Sequence, residues 1–314
     1  MPLPALCLAA LIILSGLATP AQARCPPSDQ PAAAKHGRAH GHAKAPRRRC
    51  ARAPDALRLA ALRSSAVLIV DPATKEVLFQ KNAQAVMPIA SLTKLMSALV
   101  VLESGQDLDQ ELTVTRADVD TLKHSSSRLR VGTRLRRGAM LHIALMSSEN
   151  RAAAALGRNY PGGTARFVLA MNARARALGM TSTRYVEPTG LSSGNVSSPE
   201  DLAKLVAAAQ RHTLIRRYST DREHMIRQGR QPTLYRNSNR LIASAHWRIA
   251  LQKTGYTSEA GRCMVLHARV KGRAVVMVFL DAQGKYSRAA DANRVRNWLA
   301  SAHAPNGQTR RLTP

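Results

Sequence analysis

Residues 88–96 read Pro-Ile-Ala-Ser-Leu-Thr-Lys-Leu-Met, with Ser91 three positions before Lys94. Two further short motifs follow along the chain, Ser148-Glu149-Asn150 and Lys253-Thr254-Gly255. Each motif alone is weak evidence, because a Ser–Lys spacing of three arises by chance about once in a chain of this length. The fixed order and wide separation of the three motifs make the combination specific.

The residue types in these motifs indicate serine acyl-transfer chemistry. A helix beginning at Ser91 would place Ser91 and Lys94 on one face, about 5–6 Å apart at Cβ. Lysine accepts a proton only if its pKa falls, which burial and a second cation, here Lys253, both promote. The backbone N–H groups of Ser91 and Tyr256 are predicted oxyanion donors. Gly255 would let a substrate backbone approach the same strand edge.

The motif at residues 148–150 lies between two apolar helical patterns, Leu141–Met146 and Arg151–Leu156. A short turn there would direct Ser148 and Asn150 into a cleft, and the same turn could serve as a simple helix cap. A second Ser-x-Asn sequence, residues 193–195, lies in a run rich in turn residues and is predicted to be a surface loop. The first copy is therefore preferred as the functional one.

The remaining pattern predicts an α/β fold. Residues 66–71 and 76–80 read as a β-hairpin, and strands are predicted at 248–252, 264–270 and 274–280. Helical patterns follow Ser91 and recur at 138–181, 199–217 and 291–300. Strands at both ends with helices between them favour an antiparallel sheet flanked by helices, with an inserted helical lobe.

Four blocks of the sequence resemble the low-molecular-weight penicillin-binding proteins, and in particular their DD-endopeptidase type. They are Pro88–Met96, Ala144–Ala154, Val186–Ser192 and Lys253–Gly255, and the resemblance covers about residues 64–303. It implies the penicillin-recognising serine transferase fold. It also implies hydrolysis of D-alanyl–meso-diaminopimelate cross-links in peptidoglycan, covalent inhibition by β-lactams, and no metal or other cofactor.

The resemblance also implies a role for each motif residue. Ser91 would be the acylated nucleophile, Lys94 its base and Ser148 a proton relay to the leaving amine. Asn150 would bind the substrate amide, and Lys253 and Thr254 would bind its terminal carboxylate or lower the pKa of Lys94. Gly255 and Tyr256 complete the predicted substrate-binding strand.

Two other enzyme activities stay open at this point. A D-alanyl-D-alanine carboxypeptidase would present the same carbonyl to Ser91. A class A-like β-lactamase would need a deacylating glutamate in a Glu-x-x-Leu-Asn setting, and the nearest segment, residues 187–192, lacks the asparagine.

The N-terminus predicts export to the periplasm. Residues 5–18 form an uncharged apolar run followed by Ala21-Gln22-Ala23, so residues 1–23 are predicted to be a signal peptide. Residues 24–63 contain ten Lys/Arg, two acidic residues and five prolines and are predicted to be a disordered basic linker. Residues 64–303 would form the catalytic domain and residues 304–314 a polar tail.

The formal net charge of +28 leaves open a non-catalytic polycationic binding protein. Aromatic residues make up only 4% of the chain, and no stacking motif recurs, so nucleic acid is not an expected partner. Anionic polymers of the cell envelope are the expected partners. No mature transmembrane segment is expected.

Linker histidines 36, 40 and 42 could bind a metal but are read as solvated coil. Cys25 and Cys50 could pair in an oxidising compartment, with Cys263 left buried and unpaired.

Overall fold

A computed structural model describes residue 59, residues 61–228 and residues 231–302 of the chain. Its strands are β1 (Ser64–Val70), β2 (Val77–Lys81), β3 (Met87–Pro88), β4 (Glu111–Thr113), β5 (Arg134–Arg136), β6 (Val196–Ser197), β7 (Glu223–Gln228), β8 (Gln231–Arg236), β9 (Arg248–Thr257), β10 (Gly261–Val270) and β11 (Arg273–Ala282). Its α-helices are α1 (Thr93–Glu103), α2 (Arg137–Met146), α3 (Asn150–Arg158), α4 (Gly163–Ala177), α5 (Pro199–Ala209), α6 (Thr213–Thr220) and α7 (Ser287–Ala302).

The main sheet has five antiparallel strands in the order β2-β1-β11-β10-β9. Successive side chains of a strand point to opposite faces of the sheet. The central strands have apolar residues at consecutive positions, so apolar side chains fill both faces. On β1, Ala66 and Leu68 belong to one buried cluster, whereas Val67 and Ile69 belong to another. The sheet is therefore covered by packed residues on both sides.

Helix α7 covers one face of the sheet and contacts β1, β10 and β11. On the other face, α5 packs against the same three strands. It belongs to a helical lobe in which α1 contacts α2, α3, α4 and α5. Helix α1 is buried over most of its length, from Thr93 to Val101. The helix that follows the predicted nucleophile is thus the centre of the larger core.

The predicted fold class is confirmed, and most predicted elements lie close to their predicted positions. The first hairpin is present, with the Asp71 carboxylate accepting hydrogen bonds from the backbone of Ala73 (2.9 Å) and Thr74 (3.3 Å). The last three strands and α7 are each longer than predicted. The sequence patterns did not indicate the short pairs β3–β6 and β4–β5 or the β7–β8 hairpin.

The predicted signal peptide, most of the predicted linker and the polar tail lie outside the described residues, as do Cys25, Cys50 and the linker histidines. The described end of the linker packs against the domain. Leu59 and Leu62 are buried in the apolar cluster between the main sheet and α7, called the α7-side core. Cys263 is free and buried in β10, as predicted. No helix in the described part of the chain is long and apolar enough to span a membrane.

Candidate active site

Ser91 lies in a 3-10 turn, Ala90–Leu92, directly before α1. The α-helix proper begins at Thr93, two residues later than predicted. Ala90 has a φ of 46°, a left-handed conformation that strains a residue with a side chain. The Thr93 hydroxyl donates a 2.9 Å hydrogen bond to the Ala90 carbonyl and braces the turn. Ser91 is therefore held at a helix N-terminus, where the first backbone N–H groups have no partner within the helix.

Lys94 brings the groups of the site together. Its Nζ lies 2.9 Å from Ser91 Oγ, 2.7 Å from Asn150 Oδ1 and 2.6 Å from the Thr189 carbonyl oxygen. Burial lowers the pKa of Lys94 to about 8, against the opposing effect of the carboxylates of Glu187, Glu149 and Asp120. A substantial fraction of the Lys94 amine is therefore neutral at mildly alkaline pH and can take a proton from the Ser91 hydroxyl.

The Ser148-Glu149-Asn150 motif forms the turn between α2 and α3. Ser148 has a φ of 64°. Asn150 begins α3, and its amide donates a 2.9 Å hydrogen bond to Ser125 Oγ while its carbonyl faces Lys94. Within the described residues, the Ser148 hydroxyl makes no hydrogen bond with Lys94 or Lys253. The motif thus reaches the site through Asn150, and the relay role of Ser148 stays a prediction.

Residues 253–256 lie on β9, which is at the edge of the main sheet. Lys253 is fully buried, and its Nζ donates a 2.9 Å hydrogen bond to the Thr254 carbonyl. Burial lowers the pKa of Lys253 well below its ordinary value, and the positive charges of Lys94 and Arg288 lower it further. The Thr254 hydroxyl pairs with Ser238 Oγ at 2.7 Å, whereas Tyr256 is exposed. The two lysines are therefore close enough to disfavour charge on each other.

Two glycines pack directly against the nucleophile turn. A Cβ on Gly255 would lie 2.9 Å from the Ser91 nitrogen, and one on Gly190 would lie 2.0 Å from the Ala90 carbonyl oxygen. Gly190 also has a φ of 84°. The sequence had predicted that Gly255 makes room for a substrate backbone. In the structure, the backbone that approaches Gly255 is that of the Ser91 turn itself.

Residues 188–195 do not form the surface loop that their turn-rich sequence predicted, since only Ser193 among them is exposed. Asn195 is fully buried and donates a 3.1 Å hydrogen bond to Thr93 Oγ1. The Glu187 carboxylate accepts hydrogen bonds from the backbone of Thr189 and Gly190, both at 2.6 Å, and from Asn195 Nδ2 at 2.9 Å. Glu187 thereby holds the Thr189 carbonyl against Lys94. An acidic residue followed by a Thr-Gly turn is the signal that could have indicated this role.

A second loop closes the site from the helical lobe. Ser125 belongs to it, and the Asp120 carboxylate organises it by accepting hydrogen bonds from three backbone N–H groups. Burial raises the pKa of Asp120, but the Ser125 side chain and these three backbone bonds outweigh it and lower the pKa to about 2. Lys123 of this loop forms an ion pair with Glu259, in the turn between β9 and β10. The loop therefore bridges the helical lobe and the substrate strand.

The described residues contain no group of three or more His, Cys, Asp or Glu side chains arranged to hold a metal ion.

Comparison with known proteins places these features in a family. The chain is 48% identical over 240 residues to a D-alanyl-D-alanine endopeptidase of Pseudomonas aeruginosa, covering 76% of this chain and 77% of that protein. It is 45% identical over 239 residues to the D-alanyl-D-alanine endopeptidase of Escherichia coli, covering 75% and 77%. The fold is similar to that of penicillin-binding protein D2 from Listeria monocytogenes in its cefotaxime-bound form, with 28% identity and a TM-score of 0.67 over 76% of this chain and 97% of that one. Residues 51–284 match peptidase family S11, described as D-alanyl-D-alanine carboxypeptidase. The chain belongs to this family of serine DD-peptidases.

Proposed function

We propose that this protein is a DD-endopeptidase that hydrolyses D-alanyl–meso-diaminopimelate cross-links in peptidoglycan through an acyl-enzyme on Ser91. The observation that carries the proposal is the 2.9 Å approach of the buried Lys94 amine to Ser91 Oγ. The 48% identity to a named D-alanyl-D-alanine endopeptidase supports the choice of scissile bond.

In the proposed acylation step, Ser91 Oγ attacks the carbonyl carbon of the cross-linked D-alanine while its proton passes to Lys94 Nζ. The carbonyl oxygen becomes an oxyanion, which the backbone N–H groups of Ser91 and Tyr256 would stabilise. The contacts of Lys94 with Asn150 and with the Thr189 carbonyl hold the amine in place. Because the base is already positioned, little reorganisation is needed at the moment of reaction.

The tetrahedral intermediate then breaks the C–N bond, and the leaving amine takes a proton. Ser148 is the proposed relay for that proton, from Lys94 to the amine of diaminopimelate. Water next attacks the ester carbonyl while Lys94 Nζ accepts its proton. The C–O bond to Ser91 then breaks, Lys94 returns the proton to Ser91 Oγ, and the D-alanyl carboxyl group is released. Asn150 would bind the amide of the acyl half of the substrate.

Substrate recognition is proposed to use the edge of β9. An extended peptide can add to such an edge through main-chain hydrogen bonds. Lys253 and Thr254 would bind a carboxylate of the substrate. A bound carboxylate would raise the depressed pKa of Lys253 and so stabilise its charged form.

Covalent labelling tests the proposed nucleophile. Fluorescent penicillin should label the protein one to one and deacylate slowly, because β-lactams acylate the serine of this site type. Ser91→Ala should abolish labelling, and unchanged labelling in that variant would overturn the assignment. Glu187 is not available as a β-lactamase-type deacylating base, since its carboxylate is already occupied by the backbone of its own loop.

Digestion of purified peptidoglycan tests the scissile bond, with cross-linked dimers and monomeric pentapeptides quantified side by side. The amount of cross-linked dimers should fall before that of pentapeptides, and the Ser91→Ala variant should leave both amounts unchanged. Release of free D-alanine from pentapeptides with dimers intact would instead identify a carboxypeptidase, the activity that the family description names.

The proposed location is the periplasm, reached through a signal peptide at residues 1–23. The basic linker predicted at residues 24–63 is proposed to retain the enzyme on anionic envelope polymers, with the catalytic domain extending back to Leu59, which is buried in its core. Residues 304–314 are proposed to be a polar tail. The net charge of +28 supports the proposed retention.

A further inference from the structure

A basic cavity lies at the end of β9 remote from the candidate active site. Its volume is about 400 Å³, and Arg248, Arg269, Lys271 and Arg296 line it. Arg248 begins β9, and at about 3.3 Å per residue it lies roughly 17 Å along the strand from Lys253. The cavity is thus separate from the groups that surround Ser91.

Two of these cations directly oppose each other. Arg248 and Arg269 are cross-strand partners in the β9–β10 register, and like charges in that position destabilise a sheet. None of the four side chains forms an ion pair with a carboxylate in the part of the chain that the structure describes. The bonds that they do make are to neutral groups, such as Arg269 Nη1 to the Gly272 carbonyl at 3.2 Å and Arg296 Nη1 to the His246 carbonyl at 2.9 Å. These bonds orient Arg269 and Arg296 without supplying a negative charge, and Arg296 also lies over the Trp247 ring, with its Cζ 5.7 Å from the ring centroid.

We infer that this cavity binds a phosphate group carried by a larger molecule. Arginine forks match the oxygen geometry of phosphate, and a dianion would neutralise opposed cations that a single carboxylate could not. The cavity is larger than a phosphate ion, and the apolar side chains of Ala245, Val270 and Ala300 also line it. The ligand would therefore carry a body attached to its phosphate. A phospholipid headgroup and a soluble sugar phosphate share this chemistry.

Binding experiments on the mature protein test the inference. The probes are glucose 6-phosphate, measured by titration calorimetry, and vesicles of phosphatidylglycerol in phosphatidylcholine, measured by co-sedimentation. The test variant is Arg248→Gln with Arg269→Gln. The control, Arg211→Gln with Arg222→Gln, removes the same charge at two exposed positions away from the cavity. Both variants should react with fluorescent penicillin like the wild type, since neither alters the Ser91 site.

We expect the test variant to weaken binding of at least one probe by about tenfold or more, which is the effect of losing charge-assisted hydrogen bonds. The control should bind like the wild type. Loss of vesicle binding alone would identify a lipid headgroup as the source, and loss of glucose 6-phosphate binding alone a soluble one. Equal binding by test and control variants, or no saturable binding by the wild type, would overturn the inference.

Thermal unfolding without ligand supplies a second readout. If the opposed arginines serve a ligand, replacing one of them should remove repulsion and raise the unfolding temperature. Arg269→Gln should then be more stable than the wild type in the absence of phosphate. A lower unfolding temperature would show that the pair serves the fold and would count against a binding site.

Discussion

The Cα of Gly255 on β9 faces the backbone nitrogen of Ser91 so closely that an added Cβ would lie 2.9 Å from it. Strand β9 and the Ala90–Leu92 turn therefore share one contact surface, and packing against β9 fixes the position of the Ser91 N–H, the proposed oxyanion donor. This relationship makes the geometry of the site sensitive to a single methyl group.

Gly255→Ala should slow acylation by fluorescent penicillin by roughly 10²-fold, because small displacements of reacting groups have effects of that size. The added methyl would also meet Ala90 Cβ at 3.0 Å and must push the turn away. Gly138→Ala in α2 is the matched control, since its Cβ would meet its neighbours no closer than 3.4 Å. Wild-type acylation by the Gly255 variant would show that the contact does not position the nucleophile.

The rate of acylation should depend on pH through Lys94. The amine acts as a base only when neutral, and burial lowers its pKa to about 8. The rate should therefore rise as pH increases through about 8 and fall at lower pH, where Lys94 is protonated. Labelling rates between about pH 6 and 10 measure this profile. Lys94→Arg should react too slowly to measure at every pH, because guanidinium stays protonated. A flat wild-type profile would exclude Lys94 as the base.

Glu187→Gln tests the carboxylate that holds the Thr189 carbonyl against Lys94. The negative charge of Glu187 raises the pKa of Lys94, so its removal should shift the acylation profile to lower pH. The weakened loop bonds should also lower the free energy of unfolding by about 1–3 kcal/mol. Glu223→Gln, on the exposed surface, removes the same charge and should change neither quantity. A loss of stability with an unshifted profile would limit Glu187 to a purely structural role.

Lys253→Ala should slow acylation by roughly 10²–10⁴-fold, the range for one positioned catalytic group. Lys253 is proposed to bind a carboxylate, and penicillin carries one, so the acylation rate should fall at every pH. Wild-type acylation rates across the pH range would remove Lys253 from the site.

Deleting residues 24–56 should weaken binding to whole sacculi, mostly at low salt, because exposed cations act over a Debye length of about 8–10 Å. The deletion stops short of Leu59 and Leu62, which are buried in the α7-side core. Turnover of a soluble cross-linked muropeptide dimer should stay nearly unchanged. Loss of that turnover would show that the linker takes part in catalysis.

The sequence motifs predicted those parts of the site that depend on local chemistry. Ser91 and Lys94 are one helical turn apart, so their meeting follows from spacing alone. The position of Asn150 beside Lys94 could be predicted only by considering the three separated motifs together. The strands were predictable because apolar residues fill both faces of β1, β10 and β11.

The missed features depend on contacts between distant segments. Asn195 lies in a run of turn residues, and its burial follows from a hydrogen bond to Thr93, which is 102 positions earlier. The partner of Gly255 is likewise a backbone atom far away in sequence. Local propensity contains no information about such partners, so a polar, turn-rich segment was predicted to lie on the surface.

Within the described part of the chain, β9 pairs with a strand on one side only. A substrate peptide that adds to this open edge would be bound through its main chain. Main-chain hydrogen bonds are available to any extended peptide, whatever its side chains. Selection must then come from contacts beyond the main chain, and the carboxylate that Lys253 and Thr254 are proposed to bind supplies one. We expect extended peptides that lack a carboxylate at that position to dock at the edge of β9 without being cleaved, so the enzyme can share a compartment with other proteins without digesting them.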